Sequence, residues 1–193
     1  MILLLGTFAL LVPGLAIAKP HAGKKPAKQL NWQECGSKLV RKAGLHAKWG
    51  TRIPNQFYSD SVDKSPQFLS YLLAMAYVES RFDDAAKSFS GARGILQVTP
   101  IGAEAAAEAC FLPILRGQNL LLLHTPGNNV LYASCLLNRY LKEAGGNWKH
   151  ALITYNGGYL QLRSYLGTGT LSYETENYLK RVLSVRTECL YSK

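Results

Sequence analysis

The sequence predicts a mainly α-helical, single-domain protein in which one glycine-rich loop or short hairpin interrupts the helices. Three observations predict it. Helix-start signals recur along the chain, twice with proline at the first helical position, at Ser65-Pro66 and Thr99-Pro100. Apolar residues between these signals are spaced by three and four, whereas the apolar/polar alternation of a half-buried strand is nearly absent. With 193 residues, 48% of them hydrophobic and 18% charged, the chain can bury one sizeable core, which excludes wholesale disorder and a multidomain machine.

Taken in order, residues 2–18 are an apolar stretch ending in Ala16-Ile17-Ala18, a small-x-small pattern directly before Lys19 and Pro20. Residues 1–18 read as a signal peptide cleaved after Ala18, and about 17 apolar residues are marginal for a membrane span, so no stable span is expected after cleavage. Residues 19–30, with two prolines and four lysines, form a basic linker. Asn31 with Glu34 three residues on resembles a capping box and opens a helix that ends before Gly50. A polar loop is expected over 50–64, which makes 31–64 an N-terminal helix and loop. Ser65-Pro66 starts the next helix, running to about Phe82, and residues 88–98, with Gly91 and Gly94, are the loop or hairpin.

Thr99-Pro100 begins a helix that stops near Cys110. The leucines at 120–123 admit no assignment. Asn128 or Asn129 is expected to cap a helix whose apolar face is Val130, Ala133, Leu137 and Leu141, closed by Gly145-Gly146. Short helices follow around 148–155 and 159–166, and a last helix from Ser172 carries Tyr178, Val182, Val185 and Cys189 on one stripe. Residues 65–190 thus make up the main domain.

The net charge of +10 is unevenly placed. Residues 19–52 hold nine basic residues and one acid, hence +8, and residues 53–193 hold 13 basic and 11 acidic, hence +2. A nearly neutral globular part without a recognition motif argues against a nucleic-acid binder. The basic arm suits weak attraction to a polyanion. Cys35, Cys110, Cys135 and Cys189 are scattered, with no metal-ligand spacing, and in an exported chain they read as two disulfides. Three connectivities exist. The helix assignments favour Cys110–Cys135 with Cys35–Cys189, the second tying the N-terminal helix to the last one.

The chemical anomaly is Glu79. Phe68, Leu72 and Met75 advance by four and three along one helical face, and the next member of that stripe is a carboxylate. Apolar surroundings disfavour its charged form and raise its pKa, as befits a proton donor near neutral pH. The alternative is a solvated acid in a last helical turn, a place the helix dipole makes unfavourable for it.

Glu79-Ser80 is followed by Asp83, Ala86, Ser88, Gly91-Ala92, Gly94, Gln97 and Pro100. This resembles the Glu-Ser-x-x-Asn-Pro-x-Ala-x-Ser-x-x-Gly-Ala-x-Gly-Leu-Met-Gln-x-x-Pro pattern of the soluble lytic transglycosylase (SLT) family. Asn129-Val130 with Ala133, the Ala151 to Gly158 block around Tyr155-Asn156, and Glu174-Thr175-x-x-Tyr178-Leu179 match further family motifs in the family's order, over roughly residues 66–185. Asp83-Asp84 replaces Asn-Pro, exchanging an amide for a carboxylate, while Leu96 in place of Met and Ala133 in place of Gly touch no titratable or amide group.

The resemblance implies a goose-type lysozyme-like fold in which 65–190 is the catalytic domain. It implies a peptidoglycan lytic transglycosylase that cuts between N-acetylmuramic acid and N-acetylglucosamine without water, with Glu79 as acid and then base. Gln97, Tyr155, Asn156, Ser88 and Glu174 would bind substrate, with Ser80, Gly91 and Gly94 as structural support. No metal or cofactor is implied. The expected partners are peptidoglycan glycan strands and an envelope-spanning secretion, conjugation or pilus apparatus, in a periplasmic or secreted setting. The alternatives are a hydrolytic muramidase and a non-catalytic wall-binding or assembly factor.

Overall fold

The computed structural model describes residues 31–191, so the expected signal peptide and basic linker lie outside the described residues. The elements are α1 Trp32–Lys42, α2 Trp49–Asp60, α3 Pro66–Ser80, α4 Pro100–Cys110, a 3₁₀ segment Gly117–His124, α5 Pro126–Glu143, α6 Trp148–Thr168 and α7 Tyr173–Tyr191. Among the described residues there is no named strand, and the segment 83–98 pairs with itself only through isolated bridges, Lys87 with Arg93 and Arg93 with Val98. No helix among them is long and apolar enough to cross a membrane.

α3 is the centre of the molecule. The Ser65 hydroxyl accepts the Phe68 N–H and Pro66 occupies the first turn, so the helix starts where its free N–H groups are fewest. Every residue from 68 to 76 is buried, which makes α3 a core helix with no solvent face. α1, α2 and α7 pack around it, while α5 joins α4, α6 and α2 into the second half of the core. Phe68, Leu69, Leu72, Leu73 and Met75 are fully enclosed, each contributing ~1.5–3 kcal/mol by removal of apolar surface from water.

The polar loop expected over 50–64 is instead mostly α2. Pro54 lies inside that helix, where it removes the N–H that would bond to the Gly50 carbonyl. The Ser37 hydroxyl of α1 donates to that carbonyl at 2.5 Å. Gly36 opens the space for the proline ring, since a Cβ there would lie 2.6 Å from Pro54 Cγ. The cost of the proline is therefore offset from the neighbouring helix, which no local reading of 50–64 contains. Two further differences are local. α5 starts at Pro126 with Thr125 at its N-cap position, so Asn129 is a buried member of its first turn rather than its cap. In the 3₁₀ segment only Leu123 is buried, which is why leucines 120–123 carry no periodic face.

Cys35 pairs with Cys189 and Cys110 with Cys135, with Cα–Cα distances of 4.7 and 6.0 Å. The first joins α1 to the end of α7, and the second joins the end of α4 to α5. By restricting the unfolded chain, bridges of this kind typically add ~2–4 kcal/mol each.

Candidate active site

The last turn of α3 delivers Glu79 to the place where α6 and α7 meet the 83–98 loop. Arg81 and Phe82 then adopt left-handed backbone conformations (φ 56° and 66°), turning the chain sharply out of the helix. Glu79 is half-buried. Desolvation raises its pKa to about 7 against opposing effects of the Tyr178 hydroxyl and the Arg181 charge, with Glu174 pushing in the same direction as burial. The Tyr178 hydroxyl lies beside the carboxylate closely enough to favour its charged form, yet it completes no hydrogen bond of ordinary geometry. It is a neighbour of the carboxylate and not a fixed partner.

The glycine-rich loop is held against this carboxylate from three sides. The Ser80 hydroxyl donates to the Ile95 carbonyl at 2.8 Å, and the Tyr155 hydroxyl of α6 donates to the Leu96 carbonyl at 2.8 Å. From α5, the buried Asn129 side chain accepts the Leu96 N–H at 2.7 Å and donates to the carbonyls of Arg93 and Leu123 at 2.8 and 2.9 Å. Gly94 makes that approach possible: its φ is +73°, and a Cβ would lie 2.2 Å from the Leu123 carbonyl oxygen. His124 adds an anchor. Its Nδ1 lies 2.8 Å from the Asp84 carbonyl, which can only accept, so Nδ1 carries the proton and Nε2 accepts from Arg93 at 3.3 Å.

The sequence-predicted residues divide by what their polar atoms do. Tyr155 is beside Glu79; burial, with the Glu79 charge added to it, pushes the phenol pKa well up, and its hydroxyl is engaged with Leu96. Gln97 donates to the Gly94 and Ala86 carbonyls at 2.9 and 3.3 Å, so its amide nitrogen serves the loop and its oxygen is what it offers outward. Asn156 holds a buried side-chain oxygen with no protein partner. The Ser88 hydroxyl closes its own turn, accepting the Ala92 N–H at 3.0 Å and pairing with Ser90 at 2.9 Å. Gly91 (φ +83°) belongs to that turn. Glu174 is exposed in the first turn of α7, close enough to act on Glu79 electrostatically.

Asn129, His124 and Arg93 were not singled out for the site by sequence reasoning. Asn129 had a readable signal, an amide among the apolar residues of a helix start, but its position equally suits a cap. α6 breaks at Gly158 (φ 70°, ψ −177°), just after Tyr155 and Asn156, which matches the two short helices expected there. Among the described residues, no cluster of three His, Cys, Asp or Glu side chains is arranged to hold a metal ion.

The arrangement is one partly buried carboxylate titrating near neutrality, an unpartnered amide oxygen and a rigid glycine-rich wall. The family model of the transglycosylase SLT domain matches residues 62–176, the segment that builds all of it. The chain belongs to the transglycosylase SLT family. It is 28% identical over 176 residues to a provisionally named soluble lytic murein transglycosylase of Haemophilus influenzae, covering 82% of this chain and 29% of that one. To the soluble lytic murein transglycosylase of Salmonella typhimurium it is 29% identical over 127 residues, covering 60% and 19%. The chain thus spans less than a third of the length of these SLT relatives. The 70 kDa soluble lytic transglycosylase of Escherichia coli shares the fold with a TM-score of 0.62 at 19% identity, over 84% of this chain and 29% of that one. The SLT domain here has the mainly helical, lysozyme-like fold expected from its motifs.

Proposed function

We propose that this SLT domain is a peptidoglycan lytic transglycosylase with Glu79 as its acid and base. The observation that carries the reading is Glu79 itself, a half-buried carboxylate whose pKa of about 7 lets it hold a proton and release it under the same conditions. Protonated Glu79 donates to the oxygen between N-acetylmuramic acid and N-acetylglucosamine. The substrate's acetamido group stabilises the oxocarbenium-like centre, as in substrate-assisted glycosidases. The Glu79 carboxylate then takes the proton of the muramyl C6 hydroxyl, whose oxygen closes a 1,6-anhydro ring.

The same geometry supports roles for the remaining residues. The free Asn156 oxygen accepts from an acetamido N–H, and the Gln97 oxygen accepts from a sugar hydroxyl. Tyr155 and Ser80 keep the loop in contact with the last turn of α3. Two disulfides support an oxidising, periplasmic or secreted location. Local opening of the wall for a secretion, conjugation or pilus apparatus is the finer reading, supported by the family resemblance alone, and co-purification from crosslinked envelopes tests it. For the activity itself the experiment is dye release from labelled sacculi: the protein releases dye and Glu79→Gln does not. Release by neither, with sacculi bound by both, makes the chain a wall-binding factor.

A further inference from the structure

α7 runs antiparallel to α3 and grips it with two arginines. Arg186 is engaged in packing: its Nε donates to the Ser70 hydroxyl at 2.9 Å and its guanidinium stacks 4.0 Å from the Tyr71 ring centre. Arg181, at the other end, makes one hydrogen bond, from Nη2 to the Val78 carbonyl at 3.3 Å. A guanidinium has five N–H donors, so Arg181 keeps four uncommitted, on an exposed side chain beside the last turn of α3.

The open end of α3 makes that turn a poor place for a carboxylate. The Arg81 and Phe82 N–H groups turn back to the Tyr77 and Ala76 carbonyls, so the Val78 carbonyl receives no backbone donor and the negative end of the helix dipole is open next to Glu79. Glu174, Tyr178 and Arg181, spaced by four and three, share one face of α7, and all three act on Glu79. Tyr155 from α6 is the titratable group that faces it from the other side. Arg181 is the cation among them.

We propose that Arg181 is a positioning residue for Glu79: it ties the open end of α3 to α7 through the Val78 carbonyl and provides the positive charge beside which the Glu79 carboxylate can exist. The inference rests on the reading of Glu79 as acid and base, and it deepens it. A donor only has to be protonated, but a group that must next act as base has to survive as a carboxylate in a half-buried place. Arg181 makes the second state accessible without pairing so tightly that the first is lost.

The test uses Arg181→Gln, which keeps a donor for the Val78 carbonyl and removes the charge, and Arg181→Lys, which keeps the charge and loses the planar fork. The Glu79 side-chain carboxyl is titrated by carbon NMR in all three proteins, and kcat/KM for a soluble glycan is followed against pH. In Arg181→Gln the Glu79 titration and the alkaline limb of the rate profile both move upward, by roughly 0.5 to 1 pH unit. In Arg181→Lys both stay within about 0.2 unit of the unsubstituted protein. An unmoved titration in Arg181→Gln overturns the inference, as does an equal shift in the two variants, which would make the guanidinium structural. The NMR readout needs no turnover, so an inactive protein with a shifted titration counts against the proposed function and leaves the role of Arg181 standing.

Discussion

Glu79 is a residue at which the fold accepts a cost. Its carboxyl holds a proton through the interval from its ordinary pKa of 4.5 to about 7, where the unfolded chain has already released it. The folded state therefore binds more protons than the unfolded state in that window, and stability falls as pH rises through it. Glu79→Gln removes the penalty while preserving shape. Chemical denaturation should find the variant equal to the unsubstituted protein near pH 4 and more stable at pH 8, by ~1–3 kcal/mol. Equal stability at both values would mean that Glu79 is not desolvated in solution. The same variant should lose cleavage of sacculi by ~100-fold or more, and retention of a tenth of the rate would remove Glu79 from the acid–base role.

At the scale of elements, the loop 83–98 depends on Asn129 and Gly94 more than on Ser88. Asn129→Ala leaves the Leu96 N–H and the Leu123 carbonyl without partners and the Arg93 carbonyl with only the Val98 N–H, and Gly94→Ala places a methyl group against the Leu123 carbonyl at a positive φ. Each should lower stability by ~2–4 kcal/mol and reduce turnover with it, whereas Ser88→Ala, confined to its own turn, should cost less than ~1 kcal/mol. Thermal and denaturant melts rank the three, and a Ser88→Ala cost equal to the others would show that the loop is held by its own turn. What was legible follows from the same physics. Ser65-Pro66 and Thr99-Pro100 announced α3 and α4, and Glu79 stood out because a charged residue broke an apolar stripe. α2 differs from the polar loop expected over 50–64, and the Ser37 and Gly36 that accommodate its Pro54 lie on another helix, outside any local reading of that segment. Its stripe of Trp49, Ile53 and Phe57 is present in the sequence. Ser88 and Gln97 were expected to bind substrate, but sequence spacing cannot tell which of their atoms the loop itself occupies.

For the whole molecule, the two disulfides and the expected basic arm each carry a prediction. Protein recovered from an oxidising compartment should resist thiol alkylation at all four cysteines until reduced, and labelling of all four without reductant would contradict the pairing. Deleting residues 19–30 removes four lysines and none of the residues around Glu79. Turnover of a short soluble glycan should stay nearly unchanged, while binding to sacculi weakens at low salt and differs little at high salt, where exposed charges are screened. Slow turnover of the short glycan by the truncated chain would instead place part of the active domain in that arm. The central claim, that Glu79 first gives a proton and then takes one from the substrate itself, is tested most directly by mass spectrometry of the muropeptides released from purified peptidoglycan. The account predicts 1,6-anhydro-muramyl ends, lighter than reducing ends by the mass of one water. Products with reducing ends would show that water reaches the intermediate and that the domain is a muramidase.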